Sequence, residues 1–352
     1  MKSVKIVSQG VVQVYELNDN VLEFKSDGDL LVEMKACGIC GSDLEKIYGQ
    51  YGMTSARLGH EPAGEVLSIG NNVKGITVGD RVFVHHHVSC NSCHYCRHGN
   101  NTMCEFYQKS NLDPCGLADK FIVPAWNAER GGVLKLPDNL TYEQASLIEP
   151  LACCIRALNK IPFQKGDDLV IFGAGPAGIM LLNLARMYGA GKIFVVDIND
   201  FRLEFSQKFL ADAIFINSLN ENYNKIIKDN TKGRGGDISI VATSSLTALS
   251  NAFEITRKGG SIILFGVPSK DSQFPLEASK LYSNEFSIVP SYAASEIETN
   301  QALKLLAEGR LNLDFLITHK YSLEESANAV SCAHKAIDCM KVIITKTKDK
   351  KK

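Results

Sequence analysis

Four cysteines lie within fifteen residues, in the segment CNSCHYCRHGNNTMC. They are Cys90, Cys93, Cys96 and Cys104. Two consecutive C-x2-C steps and one short loop can wrap four thiolates around one ion, and soft thiolates at this spacing suit tetrahedral zinc. A closed shell of four protein ligands leaves no coordination position for a substrate. We therefore predict a structural zinc lobe over about residues 88–106.

Three further segments carry residue types that suit a second, catalytic metal. CGICGSD contains Cys40, GHEPAGE contains His60 and Glu61, and IEPLACC contains Glu149. Each residue alone is unremarkable. Together, a thiolate, an imidazole and a carboxylate make three protein ligands and leave a fourth position free, which is the composition of an open catalytic zinc site.

A glycine-rich turn predicts a dinucleotide site. G-x-G-x-x-G follows an apolar strand, DDLVIF, and opens the helix IMLLNLARMYG. The first glycine permits the tight turn, the second leaves room for a pyrophosphate, and the third lets helix and strand pack closely. Free N–H groups at the helix start attract phosphates. Together with the glycine that ends the strand GSIILFG, the predicted cofactor-binding residues are Gly173, Gly175, Pro176, Ala177, Gly178 and Gly266.

Asp197 ends the next strand, KIFVVD, nineteen residues beyond Gly178. Its carboxylate can accept hydrogen bonds from the adenosine ribose hydroxyls and would repel a 2′-phosphate, which favours NAD over NADP. Arg202 is close enough in the chain to complicate this preference. Its guanidinium could reach a phosphate or pair with Asp197.

The elements that must position these residues change in type along the chain. A length of 352 residues predicts two domains. Residues 1–155 contain short strands and glycine-rich turns, such as DLLVEMKACG and AGEVLSIG, which are typical of a β-barrel. Strands then alternate with helices, which predicts a doubly wound parallel α/β sheet. We expect a Rossmann domain at 156–289, inserted into a first domain made of 1–155 and 290–352.

Composition excludes several classes of protein. The formal net charge is −1, so the chain lacks the concentrated positive surface that nucleic acids require. The first ten residues lack the apolar core of a signal peptide, and no apolar run is long enough to span a bilayer. Seven of the eleven cysteines lie outside the cluster and would risk mispairing in an oxidising compartment, which favours the cytoplasm.

The order CGICGSD, GHE, GDRV, four-cysteine lobe, EPLAC and GAGPAG resembles that of zinc-dependent medium-chain dehydrogenases over nearly the whole chain. The greatest resemblance is to the sorbitol (polyol) and threonine dehydrogenase branches. It implies a GroES-like, partly open β-barrel catalytic domain around a Rossmann domain, with the active site in the cleft between them. It also implies one catalytic zinc on Cys40, His60 and Glu149, Glu61 as an alternate ligand, one structural zinc on the four cysteines, and a homodimer or homotetramer.

The sequence departs from the family at two positions. Glu45 stands where many relatives carry a histidine of the proton relay, and Ser244 stands where a glycine is frequent. A glutamate can still pass protons, but its lower pKa shifts the useful pH range. We expect Ser42 to accept the proton of the substrate hydroxyl, and Asp43 to order the loop.

The resulting prediction is a zinc enzyme that reversibly transfers a hydride from a secondary alcohol, in a polyol, sugar alcohol or cyclitol, to NAD. A sugar phosphate is an alternative substrate, which would require cations such as Arg57 or Lys120 at the site. An amino alcohol such as threonine is another. A non-catalytic NAD-binding protein of the same fold is a remote alternative, because such relatives typically lose the zinc ligands that this chain retains.

Other reactive residues have simpler interpretations. Cys37 and Cys40 form a C-x2-C pair, but Cys37 fits a core position of a strand. Cys153 and Cys154 follow Glu149 and fit buried helix positions. The run His85–His87 could form a third metal site if it continues a strand, in which His85 and His87 would share a face; residues that line a pocket or the surface are the simpler interpretation.

Overall fold

The computed structural model describes residues 1–18, 22–49 and 57–346. They form two compact units. The first comprises the described residues within 1–49, 57–152 and 293–346, and the second comprises residues 153–292. None of the helices in these described ranges has the length and apolar character needed to cross a bilayer.

The elements are numbered along the chain. The strands are β1 (Lys2–Ser8), β2 (Val11–Glu16), β3 (Leu30–Gly38), β4 (Glu61–Ile69), β5 (Arg81–Val84), β6 (Lys120–Val123), β7 (Val133–Lys135), β8 (Leu169–Phe172), β9 (Ile193–Asp197), β10 (Ile214–Asn217), β11 (Gly236–Val241), β12 (Thr256–Leu264), β13 (Ser287–Pro290), β14 (Ile317–Tyr321) and β15 (Lys341–Thr345). The helices are α1 (Gly41–Tyr48), α2 (His94–Arg97), α3 (Glu105–Lys109), α4 (Ala125–Glu129), α5 (Tyr142–Ala145), α6 (Ile148–Asn159), α7 (Pro176–Tyr188), α8 (Asp200–Phe209), α9 (Tyr223–Asn230), α10 (Leu246–Ile255), α11 (Ala278–Ser283), α12 (Glu296–Ala307) and α13 (Ser326–Lys335).

The second unit is built on a parallel sheet of six strands in the order β10-β9-β8-β11-β12-β13. Its central strands are continuous apolar runs, because both faces are covered by helices; all four residues of β8 are buried. Numbered within the unit, the order is 3-2-1-4-5-6, the order of dinucleotide-binding sheets. The predicted doubly wound α/β sheet is confirmed. The order reverses between β8 and β11, where such sheets bind ligands at the carboxyl ends of the strands.

The first unit contains a mixed sheet of seven strands in the order β14-β15-β3-β4-β5-β7, with β6 also paired to β3. Burial largely alternates along β3, as expected for a strand with one face against a core. That core includes Leu30, Val32 and Met34 from β3 and Val342 from β15. The C-terminal strand therefore belongs to the same sheet as the N-terminal part of the chain.

The register of this sheet brings distant residues together. Gly38 at the end of β3 pairs with Glu61 at the start of β4, and with Ile343 of β15 on its other side. Helix α1 begins directly after β3, with Cys40 as its N-cap and Asp43 in its first turn. Cys40, His60 and Glu61 consequently lie at one end of three neighbouring strands.

The expected continuation of a strand through His85–His87 is wrong. β5 ends at Val84, and the three rings follow one another with centroid separations of 5.5 Å and 4.0 Å. His85 is fully buried, so a surface position is excluded for it as well. The N–H of His85 donates to the carbonyl of Gly132 at 2.7 Å, one position beyond the pairing of Val84 with Val133. The carbonyls of His85 and His86 then accept from the side-chain amide of Asn127 at 3.0 Å and 2.9 Å.

Candidate metal and cofactor sites

Cys40, His60 and Glu61 each offer one ligand atom, and the three atoms lie within 4.8 Å of one another. His60 is 8% exposed and Glu61 is fully buried. The carboxylate of Glu61 lies against Gly38, where an added Cβ would be 1.7 Å from Oε2, so only glycine leaves room for it. A thiolate, an imidazole and a carboxylate at these separations fit zinc with a coordination position left for another molecule.

Asp43 orients the imidazole of His60. Its Oδ1 lies 3.3 Å from Nδ1 of His60, and the carboxylate also accepts from the backbone N–H groups of Cys40 and Gly59, both at 3.2 Å. Nε2 of the ring is thereby directed to the side of Ser42, whose Oγ is 3.5 Å away. A carboxylate behind a histidine is the arrangement that fixes the tautomer and raises the basicity of a metal ligand.

The charges in this group shift the pKa values of both partners. Burial alone would raise the pKa of Asp43, but the charge of His60 and the hydrogen bond to it lower that pKa to about 2. Burial alone would lower the pKa of His60, but the negative charges of Asp43 and Cys40 raise it well above its usual value. Asp43 therefore remains an anion at any working pH and holds His60 in place.

Lys341 is part of the same site, although no sequence pattern indicates it. Its Nζ lies 2.7 Å and 2.6 Å from the two carboxylate oxygens of Glu61 and donates to the carbonyl of Ile39 at 3.0 Å. Burial alone would lower the pKa of Lys341, but the negative charge of Glu61 outweighs this effect and the pKa is raised. Lys341 therefore keeps its ammonium form. The pair has no short sequence motif, because 280 residues separate Glu61 from Lys341.

Glu149 lies in the first turn of α6 and is 5% exposed. The negative charge of Glu149 contributes to the raised pKa of Lys341, so the two side chains interact electrostatically. The resemblance implied Glu149 as the third ligand and Glu61 as the alternate. The structure groups Glu61 with Cys40 and His60, because Glu61 follows His60 directly and enters β4 opposite Gly38. The ligand role of Glu149 stays a prediction.

Ser42 and Glu45, the predicted relay residues, both lie on α1 and are half-buried. They are three residues apart, which places them on neighbouring positions of one helix face. Burial raises the pKa of Glu45 above its ordinary value. A carboxyl group with a raised pKa exchanges protons closer to neutrality than an exposed glutamate does.

The four cysteines of the lobe also converge. Their sulfurs lie within 4.8 Å of one another, with 3.9 Å between Cys90 and Cys96 and 3.5 Å between Cys93 and Cys96. Zinc bonds of about 2.3 Å in a tetrahedron separate neighbouring sulfurs by ~3.8 Å, so the set fits this ion. A backbone N–H from Ser92 is the main cause that lowers the pKa of Cys90 to about 6, whereas burial raises the pKa of Cys96 to about 12.

The lobe is fastened to the C-terminal part of the first unit. Ser89 donates to the carboxylate of Glu296 at 2.7 Å, and Asn101 donates to the hydroxyl of Ser89 at 3.1 Å. The hydroxyl of Tyr107 donates to the carbonyl of Ala294 at 2.6 Å. These buried bonds tie the zinc lobe to the start of α12, which gives the closed thiolate site a bracing role.

The glycine motif lies at the carboxyl end of β8. Gly173 has φ +112°, and an added Cβ on Gly178 would lie 1.9 Å from the carbonyl oxygen of Gly173. Gly175 is the N-cap of α7, and Pro176 takes the first helical position, which needs no N–H donor. Ala177 follows, and its carbonyl accepts from the thiol of Cys154 at 3.6 Å. The free N–H groups of α7 are thus presented at the point where the strand order reverses.

Asp197 ends β9 beside this turn. Its carboxylate accepts from the N–H of Ala174 at 2.6 Å and from the N–H groups of Ile198 and Asn199 at 2.7 Å and 2.9 Å. Nη1 of Arg202 lies 3.4 Å from the position that a Cβ on Gly175 would take. The guanidinium is therefore beside the glycine turn, which supports contact with a phosphate over pairing with Asp197.

Gly266, the last predicted cofactor residue, follows β12 by two residues and packs against the backbone of Thr243. An added Cβ would lie 2.2 Å from the carbonyl oxygen of Thr243, so the close approach of the two segments requires glycine. The structure thus gives Gly266 a packing role beside β11 and β12.

The remaining reactive residues have structural surroundings. Cys37 is fully buried on β3, and burial raises the pKa of its thiol well above the usual value, which confirms the core interpretation. Cys154 is fully buried on α6, as expected, while Cys153 is half-buried. His86 lies beside His60, with ring centroids 5.1 Å apart, and burial lowers the pKa of His86. His86 is therefore neutral beside the metal group.

Comparison with known proteins gives a consistent result. Residues 26–138 match the family model of the alcohol dehydrogenase GroES-like domain, and residues 176–308 match that of the zinc-binding dehydrogenases. The GroES-like expectation is confirmed. The chain is 33% identical over 322 residues to sorbitol dehydrogenase of Bacillus subtilis, covering 90% of each protein.

Two further relatives extend the match over nearly the full length. Probable D-xylulose reductase A of Aspergillus fumigatus is 30% identical, over 93% of this chain and 92% of that protein. Among solved structures, alcohol dehydrogenase TADH from Thermus sp. ATN1 superposes with a TM-score of 0.86 at 27% identity, over 98% of this chain and 99% of that one.

Proposed function

The chain belongs to the zinc-dependent medium-chain dehydrogenases, oxidoreductases that act on CH–OH groups, and we propose that its own substrate is a polyol, sugar alcohol or cyclitol with a secondary alcohol. Two relatives are named for a polyol and a ketose, sorbitol and D-xylulose, which supports this substrate class. The observation that carries the proposal is the group of Cys40, His60 and Glu61 within 4.8 Å, with Asp43 behind His60.

Cys40, His60 and Glu61 are the proposed ligands of the catalytic zinc, which when bound lowers the pKa of a substrate hydroxyl and polarises the developing carbonyl. Asp43 lies beside Nδ1 of His60, so Nε2 on the other side of the ring is left for a metal. Lys341 is paired with the carboxylate of Glu61, one of these three residues, and offsets its negative charge. Glu149, which also influences Lys341, is the proposed alternate carboxylate.

Ser42 is proposed to receive the proton of the substrate hydroxyl, since its Oγ lies 3.5 Å from Nε2 of His60 and therefore next to the proposed ligand atom. Glu45, one turn later on α1, takes the place of a relay histidine. Its half-buried carboxylate is suited to pass that proton towards solvent, because its pKa is raised by burial.

The cofactors are zinc and NAD, and the nicotinamide of bound NAD would supply the hydride acceptor. In the second unit the N–H groups of α7 suit the pyrophosphate, and Asp197 at the end of β9 suits the ribose hydroxyls. The negative carboxylate would repel the 2′-phosphate of NADP. The four cysteines of the lobe are the proposed ligands of a second, structural zinc.

A phosphorylated substrate is less well supported. Lys120 pairs with Glu33, five residues before Gly38 along β3, which places it ~16 Å from the strand end that carries Glu61. Arg57 lies near enough to His87 to lower its pKa, so it is the remaining candidate for a phosphate partner. Of the two cations that the sequence indicated, one is therefore too far from the site, and we propose an uncharged polyol as the substrate.

We also propose that the protein works as a homo-oligomer in the cytoplasm. Within the described residues no disulfide joins any of the cysteines, as a reducing compartment allows. The edge strand β13 leaves Ile288 37% exposed, and Tyr282 of α11 next to it is 86% exposed. Such an apolar strand edge suits pairing with a second copy. Light scattering on the purified protein would give the mass of the assembly.

A substrate panel tests the proposed function. The zinc-loaded protein is assayed for NADH or NADPH formation with unphosphorylated polyols, the matching polyol phosphates, and amino alcohols including threonine. We expect turnover of at least one unphosphorylated polyol with NAD, and a much lower kcat/KM with NADP. Preference for the phosphates or the amino alcohols would overturn the substrate class, and failure with every alcohol would overturn the assigned activity.

A further inference from the structure

We propose that His319, Cys332 and Asp338 form a third metal site, which binds Zn²⁺ or another divalent cation of similar softness. One ring nitrogen of His319, the sulfur of Cys332 and a carboxylate oxygen of Asp338 lie within 4.8 Å of one another. The same separation describes the proposed catalytic group and the four-cysteine lobe. The site belongs to neither of them, and it does not depend on the proposed function.

Three different elements of the first unit bring these side chains together. His319 lies on β14, Cys332 lies on α13, and Asp338 lies in the segment between α13 and β15. α13 ends at Lys335 and is capped by Ala336, which adopts φ +50°, a left-handed conformation that is uncommon for alanine. This turn brings the chain back past the helix end and places Asp338 beside Cys332.

Neighbouring groups hold two of the proposed ligands. Nδ1 of His319 lies 3.0 Å from the hydroxyl of Thr318, which also accepts from the N–H of Met340 at 2.9 Å. The hydroxyl of Tyr321 forms a hydrogen bond with the side chain of Cys332. Hydrogen bonds behind the ligands are what metal sites use to fix ligand orientation.

The ligand types select the ion. A thiolate and an imidazole favour zinc and similar transition metals, whereas Mg²⁺ and Ca²⁺ prefer oxygen ligands alone. His319 and Cys332 are half-buried and Asp338 is exposed, so an ion can enter from solvent. Three protein ligands leave a coordination position for water, and we expect weaker binding here than in the closed shell of four cysteines.

Binding would fasten the segment that leads into β15. Asp338 precedes Lys341 by three residues, and Lys341 holds Glu61 in the proposed catalytic group. An ion on Asp338, Cys332 and His319 would link that segment to both α13 and β14. A metal at the third site would therefore stabilise this segment without taking part in the reaction.

Cobalt titration of the zinc-loaded protein tests the proposal. Co²⁺ alone is added to full-length protein freed of excess zinc, and thiolate-to-cobalt absorption and released zinc are both recorded. We expect one added equivalent of cobalt with thiolate absorption and no stoichiometric zinc release. Cobalt uptake matched by zinc release would show exchange at the other sites and overturn the proposal.

Variants identify the ligands. Cys332→Ala should abolish the added thiolate absorption, and Asp338→Asn should weaken cobalt binding by more than about ten-fold. Asp338 is exposed, so the second variant tests the site even if the first one fails to fold. His334→Asn is the matched control, because His334 lies on the same helix but stacks on Tyr48 instead. Equal titrations of the wild type and Asp338→Asn would contradict the assignment.

Discussion

At the scale of single residues, Asp43 determines how His60 can act. It is buried, ionised and bonded to the imidazole and to two backbone N–H groups, so it fixes both the ring and the loop that carries Cys40. The sequence predicted an ordering role for this aspartate. It could not predict the partner atom, because His60 is brought to α1 by the pairing of β3 with β4.

Asp43→Asn should lower zinc affinity and kcat/KM by roughly 10- to 100-fold, because the amide no longer stabilises the orientation of His60 or increases its basicity. The measurement is steady-state kinetics at a series of buffered zinc concentrations. Asp80→Asn, at an exposed turn of the same unit, is the control. Wild-type kinetics and zinc affinity in Asp43→Asn would show that the carboxylate is not needed behind His60.

Glu45 gives a prediction about pH. Its relay function requires the ionised form, and burial raises its pKa, so activity should fall as the pH drops through that raised value. Glu45→Gln cannot titrate, so we expect it to lose this acidic limb and to reduce kcat by up to about 100-fold on the plateau. The check is a kcat–pH profile of both proteins, with Glu65→Gln as the control. An unchanged profile in Glu45→Gln would remove this residue from the relay.

At the scale of elements, the first residue of β15 completes a site whose other residues follow β3 and precede β4. Lys341 and Glu61 form a buried ion pair between β15 and β4, with β3 between these strands. The motifs on either side of β3 were visible in the sequence, since Cys40 and His60 lie in short recognisable segments. Lys341 was not, because a lysine that opens the apolar strand KVIIT carries no local sign of its partner.

Lys341→Met should lower the free energy of unfolding of the first unit by about 3–5 kcal/mol, because the buried charge of Glu61 loses its partner. Adding Glu61→Gln should recover part of this loss. Urea unfolding followed by the fluorescence of Trp126, the single tryptophan, reports on the first unit. Lys135→Met, which breaks an exposed pair with Asp80, should cost no more than about 1 kcal/mol.

The double variant decides the interpretation. If Lys341→Met alone is as stable as the wild type, the pair is not what holds Glu61 in its position. If Glu61→Gln in the Lys341→Met background causes a further loss as large as the first, the two side chains act independently.

At the scale of the whole molecule, short motifs could be predicted from the sequence, whereas contacts between distant residues could not. The four cysteines and the glycine motif are each complete within about twenty residues, and the structure brings each set together. The parallel sheet followed from alternating strands and helices. Contacts across the chain stayed hidden, such as Ser89 with Glu296, which are 207 residues apart. Glu61, by contrast, stands next to His60 in the sequence, and the structure groups both with Cys40.

The most direct test of the account compares zinc content and NADH formation in one set of preparations of the wild type, Cys40→Ala and Cys37→Ala, with a secondary alcohol that the wild type oxidises. Cys40→Ala should hold one zinc fewer per chain than the wild type and lose at least about 1000-fold in kcat/KM, equivalent to ~4 kcal/mol. Cys37→Ala, in the neighbouring core, should keep its zinc and most of its activity. Near-normal NADH formation by Cys40→Ala with one zinc missing would contradict a catalytic metal held by Cys40, His60 and Glu61.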